Sequence, residues 1–255
     1  MGDAVNIHAQ GQAEANVNTS AADLVASSLN DGKSHLLIAA TGSVAVIKLA
    51  SIISSLAHHR NLSIRIILTS SALRFFTGAS AEQPSISALA SLPNVAAVYT
   101  DEDEWSAPWS RGSNILHIEL RRWADIMVIA PLSANTLAKV VNGMADNFVT
   151  SVVRAWDVTP AESTDNEAKR RMVRRRIIVA PAMNVAMWLH PITAKQVQVL
   201  EEEWGVNGKG DEGWFEVLWP QKKVLACGDV GQGGMCEVEK IIHMIEERLS
   251  LGESP

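Results

Sequence analysis

Three polar side chains, from different parts of the sequence, have acid–base or hydrogen-bonding chemistry. His117, one of seven histidines, lies between apolar residues, and its imidazole is the best candidate for a general base. Asn184 can offer two donors and an acceptor to a carboxylate or to the edge of a cofactor ring. Cys227 lies among small residues and glycines, where a loop or lid would let its thiol act as an acid. Taken singly, each is more often structural, so local spacing leaves both interpretations open.

Two segments that follow apolar runs combine small residues with hydroxyl groups. Ala40–Ser43 leads directly into a helix-length segment, and such a turn favours an anion such as phosphate, although a simple N-cap explains it equally well. In Ala130–Leu137 the side chains of Ser133, Asn135 and Thr136 suit a phosphate monoester such as the end group of FMN. A polar capping sequence explains these residues as well.

Six short apolar runs, rich in β-branched residues, indicate the strands. They are His35–Ala40, Ser63–Thr69, Val95–Tyr99, Asp125–Ala130, Arg176–Ala180 and Lys223–Ala226. Their nearly continuous apolar character is typical of strands buried on both faces, which favours a parallel sheet covered by helices.

The segments between these runs have helical spacing. They are Val44–Ala57, Leu132–Asn142, Asn147–Trp156, Ile192–Trp204 and Glu237–Leu249. Strands that alternate with helices predict an α/β fold, with a doubly wound, Rossmann-like (flavodoxin-like) parallel sheet and helices on both faces. Active sites in such folds gather at the carboxyl ends of the strands. The motifs that follow strands are therefore expected to converge on that edge of the sheet.

Charge and composition argue against two classes of partner. The formal net charge is −6 at pH 7, so no global positive field exists to hold a nucleic acid. No apolar stretch reaches the roughly 20 residues that a membrane-spanning helix needs, and residues 1–30 lack the features of a signal peptide. Two cysteines, Cys227 and Cys236, do not make a disulfide framework and predict a reduced, cytoplasmic setting. No metal site is expected, because no further Cys or paired His lies near these cysteines at ligand spacing.

One domain is expected after a polar N-terminal segment. Residues 1–33 are small and polar and predict a disordered tail, and residues 34–255 predict a single domain. Two stretches have the character of insertions: residues 159–175, which end in a basic run, and residues 207–216, which are Gly-rich and predict a loop or hairpin. The basic run is more often a solvated loop than a docking element for phosphate or a partner.

Four of these motifs occur in one order, and the combination resembles the homo-oligomeric flavin-containing cysteine decarboxylases. They are His117–Leu120 (HIEL), Ala130–Thr136 (APLSANT), Pro181–Met187 (PAMNVAM) and Ala226–Gly233 (ACGDVGQG). The pattern is most similar to the eukaryotic, halotolerance-protein branch, which acts on phosphopantothenoylcysteine. The resemblance implies FMN, a carboxy-lyase step in coenzyme A biosynthesis, a cysteine-derived phosphorylated substrate and a homotrimer with active sites between subunits.

The resemblance also implies roles for individual residues. His117 would be the base and Cys227 the proton donor, while Asn184 would hold the substrate carboxylate. Arg122 and Met187 would also lie at the substrate. The positions that match flavin contacts are Gly42, Ser43, Thr69, Ser71, Ser133, Ala134, Asn135, Thr136 and Ala182.

One position departs from the family pattern. The family often has Lys three residues before the Cys, where this sequence has Val224 next to Lys223. Contact between a lysine and the substrate phosphate is therefore not implied at that position.

The chemistry explains why a flavin would be needed. The α-carboxylate of an N-acylated cysteine has no electron sink, so oxidation of the CH₂–SH group to a thioaldehyde would precede CO₂ loss. The resulting enethiolate would then be protonated by Cys227 and reduced again.

Other functions stay open. One is an inhibitory regulatory subunit of a Ser/Thr protein phosphatase, the role of fungal relatives. A peptide-cysteine decarboxylase and a flavin prenyltransferase are further alternatives, although a prenyltransferase would not need the Cys227 motif. The presence of His, Asn and Cys together favours catalysis.

Overall fold

A six-stranded parallel sheet forms the centre of the computed structural model, which describes residues 19–80, 83–106, 108–158, 175–224 and 230–252. The spatial order of its strands is β5-β2-β1-β6-β7-β8, and every neighbouring pair is parallel. The strands along the chain are β1 Ser34–Ala40, β2 Leu62–Leu68, β3 Thr77–Ser80, β4 Gln83–Ser85, β5 Val95–Tyr99, β6 Ile126–Leu132, β7 Ile177–Pro181, β8 Phe215–Val217, β9 Gln221–Val224 and β10 Val230–Gly234.

Helices connect the strands. They are α1 Ala21–Ser27, α2 Leu49–Ser55, α3 Ser70–Leu73, α4 Ile86–Ala90, α5 Leu116–Trp123, α6 Ala134–Val141, α7 Phe148–Arg154, α8 Val185–Leu189, α9 Pro191–Gln198, α10 Val206–Lys209 and α11 Val238–Leu249. Short 3₁₀ turns cover Val44–Lys48, Asp101–Asp103 and Gly210–Glu212, and a π turn, Val199–Glu203, follows α9.

Each face of the sheet carries its own hydrophobic core, because side chains alternate along buried strands. In β1, Leu37 and Ala39 pack into the core that includes residues of α1, α5, α6 and α7. Leu36, Ile38 and Ala40 pack on the other side with residues of α2, α4 and α11. This arrangement confirms the predicted doubly wound, Rossmann-like sheet. Counting only its own strands along the chain, the order is 3-2-1-4-5-6, the Rossmann order, whereas flavodoxin has 2-1-3-4-5.

The strand order reverses between the neighbouring strands β1 and β6. Thr41 links these two strands at their carboxyl ends. The Thr41 hydroxyl donates to the Pro131 carbonyl oxygen over 2.9 Å and accepts from the Ser133 N–H over 2.7 Å. Thr41 is fully buried. Because ligands of doubly wound folds bind at this switch point, Thr41 fixes the start of the two turns at the expected site.

The sixth strand differs from the one that the sequence predicts. Lys223–Ala226 was expected in the sheet, but β9 pairs antiparallel with the Gly-rich β10 in a separate two-stranded ribbon. The edge place beside β7 belongs to β8, whose Phe215 is fully buried and packs against Trp204 and Trp214. Residues 207–216 are therefore not a loop or hairpin but end in the start of a sheet strand. A strand of three residues in a Gly-rich stretch gives no periodic signal.

The predicted disordered tail is wrong for residues 19–33. Ser20 and Asp23 form a capping box that starts α1, and Ala22 and Val25 of this helix are buried. The helix packs on α5, so this part of the segment belongs to the domain. Residues 1–18 and 159–174, which include most of the predicted basic insertion, lie outside the described residues. Among the helices described, none is long and apolar enough to cross a membrane.

Candidate active site

A cavity of about 570 Å³ opens where β1, β6 and β7 end. Its volume is in the range of small-molecule and cofactor sites. Eight of the residues that the sequence assigns to flavin or substrate line it: Gly42, Ser43, Ser133, Ala134, Asn135, Ala182, Asn184 and Met187. The structure thus brings three separate motifs together at one edge of the sheet, as the strand-end rule predicts.

The first turn of the cavity, after β1, is shaped by a glycine. A methyl group at Gly42 would lie 2.7 Å from Cβ of Ser71 in α3, so only glycine lets the turn come this close. Ser43 stands at the N-cap position of the 3₁₀ turn, yet its side chain makes no capping hydrogen bond. Its hydroxyl therefore remains available to a ligand, which the simple N-cap interpretation did not foresee.

The second turn, after β6, begins α6. Ser133 is buried, and its hydroxyl accepts from the Thr136 N–H over 3.3 Å and donates to the Thr136 hydroxyl over 3.2 Å. The capping interpretation is thus correct for these two residues. Ala134 and Asn135 face the cavity in the first turn of this helix, where N–H groups have no partner within the helix and favour an anion.

The third turn, after β7, carries Asn184. Its Oδ1 accepts from the Met187 N–H over 2.8 Å and caps α8, which fixes the orientation of the side-chain amide. The Nδ2 group has no acceptor within the described ranges and is the part of the amide that can still donate. Asn184 therefore offers N–H donors, the requirement for holding a carboxylate.

The ribbon of β9 and β10 packs directly on this third turn. The Met183 N–H donates to the Gly233 carbonyl over 2.9 Å, and a methyl group at Gly233, where φ is +136°, would lie 2.7 Å from the Met183 oxygen. Val224 pairs with Val230, three residues on either side of Cys227. Cys227 itself lies outside the described residues. Gly233, one of the glycines that the sequence associates with a loop or lid, brings the ribbon close to the turn that carries Asn184.

His117 and Arg122 lie outside this cavity. Both belong to α5, where His117 Nδ1 is 2.5 Å from Oε1 of Glu104 and Arg122 donates to Glu119 over 2.7 Å. Within the described part of one chain no histidine lines the cavity. The structure of a single chain therefore unites Asn184 with the predicted flavin residues but leaves the predicted base elsewhere.

The remaining predicted flavin residues lie behind the cavity wall. Thr69 caps α3 by accepting from the Ala72 N–H over 3.3 Å, and Ser71 contacts the site only through its closeness to Gly42. Thr136 is occupied by its pair with Ser133. Their proposed flavin contacts stay predictions.

Three residues were missed in the sequence, two that line the cavity and one that contacts His117. Lys48 and Phe75 line the cavity, and Glu104 contacts His117. Lys48 lies five residues after Ser43, which is not one of the neighbour spacings of three and four residues on a helix, so the sequence offered no signal for it. Glu104 lies 13 residues before His117, and no periodicity connects the two.

The approach to α5 is held by α1. The Asn114 amide donates to Asp23 over 2.8 Å just before α5 begins. The hydrogen bonds from Ser20 and from Asn114 keep the pKa of Asp23 below its ordinary value. The carboxylate of α1 thus helps to fix the segment that leads to His117.

Comparison with known proteins places the chain in a family. The family model described as Flavoprotein matches residues 24–250. A probable phosphopantothenoylcysteine decarboxylase of Arabidopsis thaliana is 41% identical over 84% of this chain and 87% of its own length. A probable thymidylate synthase of Schizosaccharomyces pombe is 39% identical over 88% of this chain, but the match covers 30% of that longer protein, so its name says little about this domain.

Solved structures agree with this placement. A Cys-to-Ser variant of a PPC decarboxylase, complexed with pantothenoylaminoethenethiol, has a TM-score of 0.65 and 38% identity, with coverage of 84% of this chain and 97% of the other. The FMN binding protein AtHal3 has a TM-score of 0.62 and 37% identity, with coverage of 87% and 100%. The chain therefore belongs to the flavoprotein family and, within it, to the group of the phosphopantothenoylcysteine decarboxylases, which confirms the resemblance found in the sequence.

Proposed function

We propose that this chain is a phosphopantothenoylcysteine decarboxylase, a carboxy-lyase of coenzyme A biosynthesis that uses FMN. The observation that carries the proposal is the place of Asn184, whose amide is oriented as a donor in the same cavity as the turns after β1 and β6. An oriented donor next to a flavin-sized cavity is what the decarboxylation of a bound carboxylate requires.

The cavity has the features that FMN would need. Its wall is partly apolar, with Ile47, Phe75 and Met183, which suits a flat aromatic ring. The start of α6 at Ala134 and Asn135 offers N–H groups to the phosphate. When bound, FMN supplies two-electron chemistry that takes a hydride from the substrate and later returns it.

The residues of the chain would then handle the carboxylate and the protons. Asn184 Nδ2 binds the carboxylate, and Met187 and Arg122 lie near the substrate. His117 accepts the proton of the substrate thiol while the neighbouring carbon is oxidised, which leaves a thioaldehyde. CO₂ would leave, and the electrons of the broken C–C bond would shift onto sulfur to give an enethiolate. The thiol of Cys227 would protonate the carbon that lost the carboxylate. Return of the hydride to the oxidised carbon, and of a proton from His117 to sulfur, would restore the thiol.

The assembly belongs to the proposal. His117 lies outside the cavity of its own chain, so a second copy is needed to bring a base to Asn184. A head-to-tail contact forms a ring when its rotation closes, and the homotrimer with active sites between subunits is the closed ring that we propose.

An inhibitory role on a Ser/Thr protein phosphatase is the alternative function. No contact within the described residues favours it, and the oriented Asn184 amide would have no purpose in it. The cytoplasmic location stays a prediction from the small number of cysteines.

The test uses the purified full-length protein with phosphopantothenoylcysteine. We expect flavin absorbance bands, release of CO₂ and formation of phosphopantetheine. In Cys227→Ser we expect bound flavin and accumulation of an oxidised, decarboxylated enethiol. The compared Cys-to-Ser PPC decarboxylase, which holds pantothenoylaminoethenethiol, supports this expectation.

The control is Cys236→Ser, the same change at the other cysteine of the sequence, a buried residue that also lines the cavity. Whatever its effect on flavin content, its product is expected to be fully reduced. A colourless protein that binds the phosphatase and releases no CO₂ would favour the regulatory alternative. Normal turnover by Cys227→Ser would remove that residue as the proton donor.

A further inference from the structure

We propose that Glu104 is the positioning residue of His117, holding the imidazole in the tautomer and orientation that a base requires. This inference rests on the proposed function, in which His117 takes a proton from the substrate. Nothing in the sequence motifs assigns a role to Glu104.

The contact between the two side chains is short and shielded. His117 Nδ1 lies 2.5 Å from Glu104 Oε1, and the Glu104 side chain is 5% exposed, compared with 21% for His117. An ionised carboxylate can only accept a hydrogen bond, so Nδ1 must carry the proton. The lone pair of the neutral ring is then on Nε2, which becomes the basic atom.

Glu104 has no other partner that would compete for its charge. Its Oε2 atom is buried and lacks a hydrogen bond among the described residues, and no lysine or arginine in those ranges forms an ion pair with it. A buried carboxylate with one partner costs the fold free energy. Its charge is therefore directed at the imidazole and stabilises the imidazolium that forms when Nε2 accepts a proton.

The four acids of the segment Asp101–Glu104 have separate tasks, which singles out Glu104. Asp101 accepts from the Phe148 N–H over 2.9 Å and from the Ser70 N–H over 3.3 Å, so it anchors the segment to α7 and α3. Asp103 accepts from the N–H and the hydroxyl of Thr100 over 2.7 and 3.0 Å.

Glu102 is exposed. The hydrogen bonds of Asp101 and Asp103 fix the backbone of the segment, and Glu104 is the acid that contacts α5 through His117. Asp101 ties the segment of Glu104 to α7, His117 belongs to α5, and α7 packs on α5. The contact between α5 and α7 therefore fixes the carboxylate relative to the imidazole.

The experiment measures kcat, KM and flavin content of the full-length protein in five variants. In Glu104→Gln the amide can either donate or accept, so the imidazole is no longer held in one tautomer. We expect kcat to fall by about 10²-fold with KM changed less than about threefold and flavin content unchanged. Glu102→Gln makes the same change two residues away on an exposed side chain and is expected to match the wild type.

Two further variants separate positioning from a merely structural role. Glu104→Asp keeps the charge and is expected to recover part of the loss seen in Glu104→Gln. In a His117→Asn background, Glu104→Gln is expected to cause no additional loss, because its effect passes through the imidazole.

The outcomes also distinguish a failure of the role of Glu104 from a failure of the proposed function, in which His117 is the base. Normal turnover by His117→Asn would remove His117 as the base and the inference with it. If His117→Asn is inactive while Glu104→Gln turns over like the wild type, only the role of Glu104 is overturned. An equal loss from Glu104→Gln in both backgrounds, or no advantage of Glu104→Asp over Glu104→Gln, would overturn it as well.

Discussion

Two regions of the molecule carry complementary halves of one site. The cavity region, made by the turns after β1, β6 and β7, has volume, small residues and the oriented amide of Asn184, but no histidine among its described lining residues. The α5 region, made by Glu104 and α5, has a histidine held by a buried carboxylate, but none of its residues lines the cavity. The binding half and the acid–base half are thus built on different parts of the chain.

The difference teaches that each region orients its own functional side chain through neighbouring residues, but lacks the chemical group that the other region supplies. Asn184 is oriented by the cap of α8, and His117 is oriented by Glu104, and neither needs the other to be in place. Two preorganised halves on one chain are what a ring of identical subunits can join.

The largest effect is expected from the cavity region. Asn184→Asp keeps an oxygen for the Met187 N–H but replaces the donor with a negative charge facing the substrate carboxylate. We expect turnover to fall by about 10²–10³-fold with flavin content and unfolding temperature unchanged. Asn61→Asp, the same change at an exposed position just before β2, is the control. Wild-type turnover by Asn184→Asp would break the assignment of the binding half.

A smaller effect is expected from Thr41, which joins the ends of β1 and β6 next to the cavity region. Thr41→Val has nearly the same shape but leaves the Ser133 N–H without its acceptor, so the free energy of unfolding should fall by about 1–3 kcal/mol and flavin should be retained less well. Thr41→Ser keeps the hydroxyl and serves as the control in the same denaturant titration. A Thr41→Val variant as stable as the wild type would show that the hydroxyl does not tie β1 to β6.

The fit of the first turn can be tested with a methyl group. Gly42→Ala would place Cβ against Ser71, and we expect about tenfold weaker FMN binding in a fluorescence titration of the flavin-free protein. Ser71→Gly alone gives the reference, and Gly42→Ala with Ser71→Gly should recover part of the affinity. Undiminished binding by Gly42→Ala would mean that the turn need not lie so close to α3.

The smallest effect concerns the α5 region. The pKa of Asp23 is below its ordinary value of 3.8, so its contribution to the docking of α1 is present above that value and is lost as the pH falls through the lowered one. Hydrogen exchange of α1, corrected for intrinsic rates, should therefore increase as the pH falls below 3.8. Asp23→Asn should remove this pH dependence, and exchange that is insensitive to pH in the wild type would contradict the role of Asp23.

Much of the fold was predictable because four strands of the sheet, β1, β2, β6 and β7, are buried apolar runs, and the fifth, β5, is a partly buried apolar run at the edge. Their carboxyl ends gave the turns at Gly42, Ser133 and Asn184, which the structure brings to one cavity. The strand at Phe215 was not predictable. Its place depends on the packing of Phe215 against Trp204 and Trp214, and these aromatic residues do not form a helical or strand-like repeat in the sequence.

The α5 region was the harder half to predict. His117 was selected by its chemistry and by the family motif, but its partner Glu104 lies in an acidic segment where four carboxylates look alike in the sequence. Only the hydrogen bonds of Asp101 and Asp103 with backbone groups distinguish the structural acids from the one that reaches the imidazole.

The most direct test of the joined site is complementation between two inactive variants. His117→Asn and Asn184→Asp are purified singly and after co-expression, and CO₂ release is measured at equal flavin concentration. If each site takes His117 from one subunit and Asn184 from its neighbour, random mixing should restore about one quarter of wild-type activity. If both residues served the same subunit's site, the mixture would stay as inactive as its components, and that result would contradict the account.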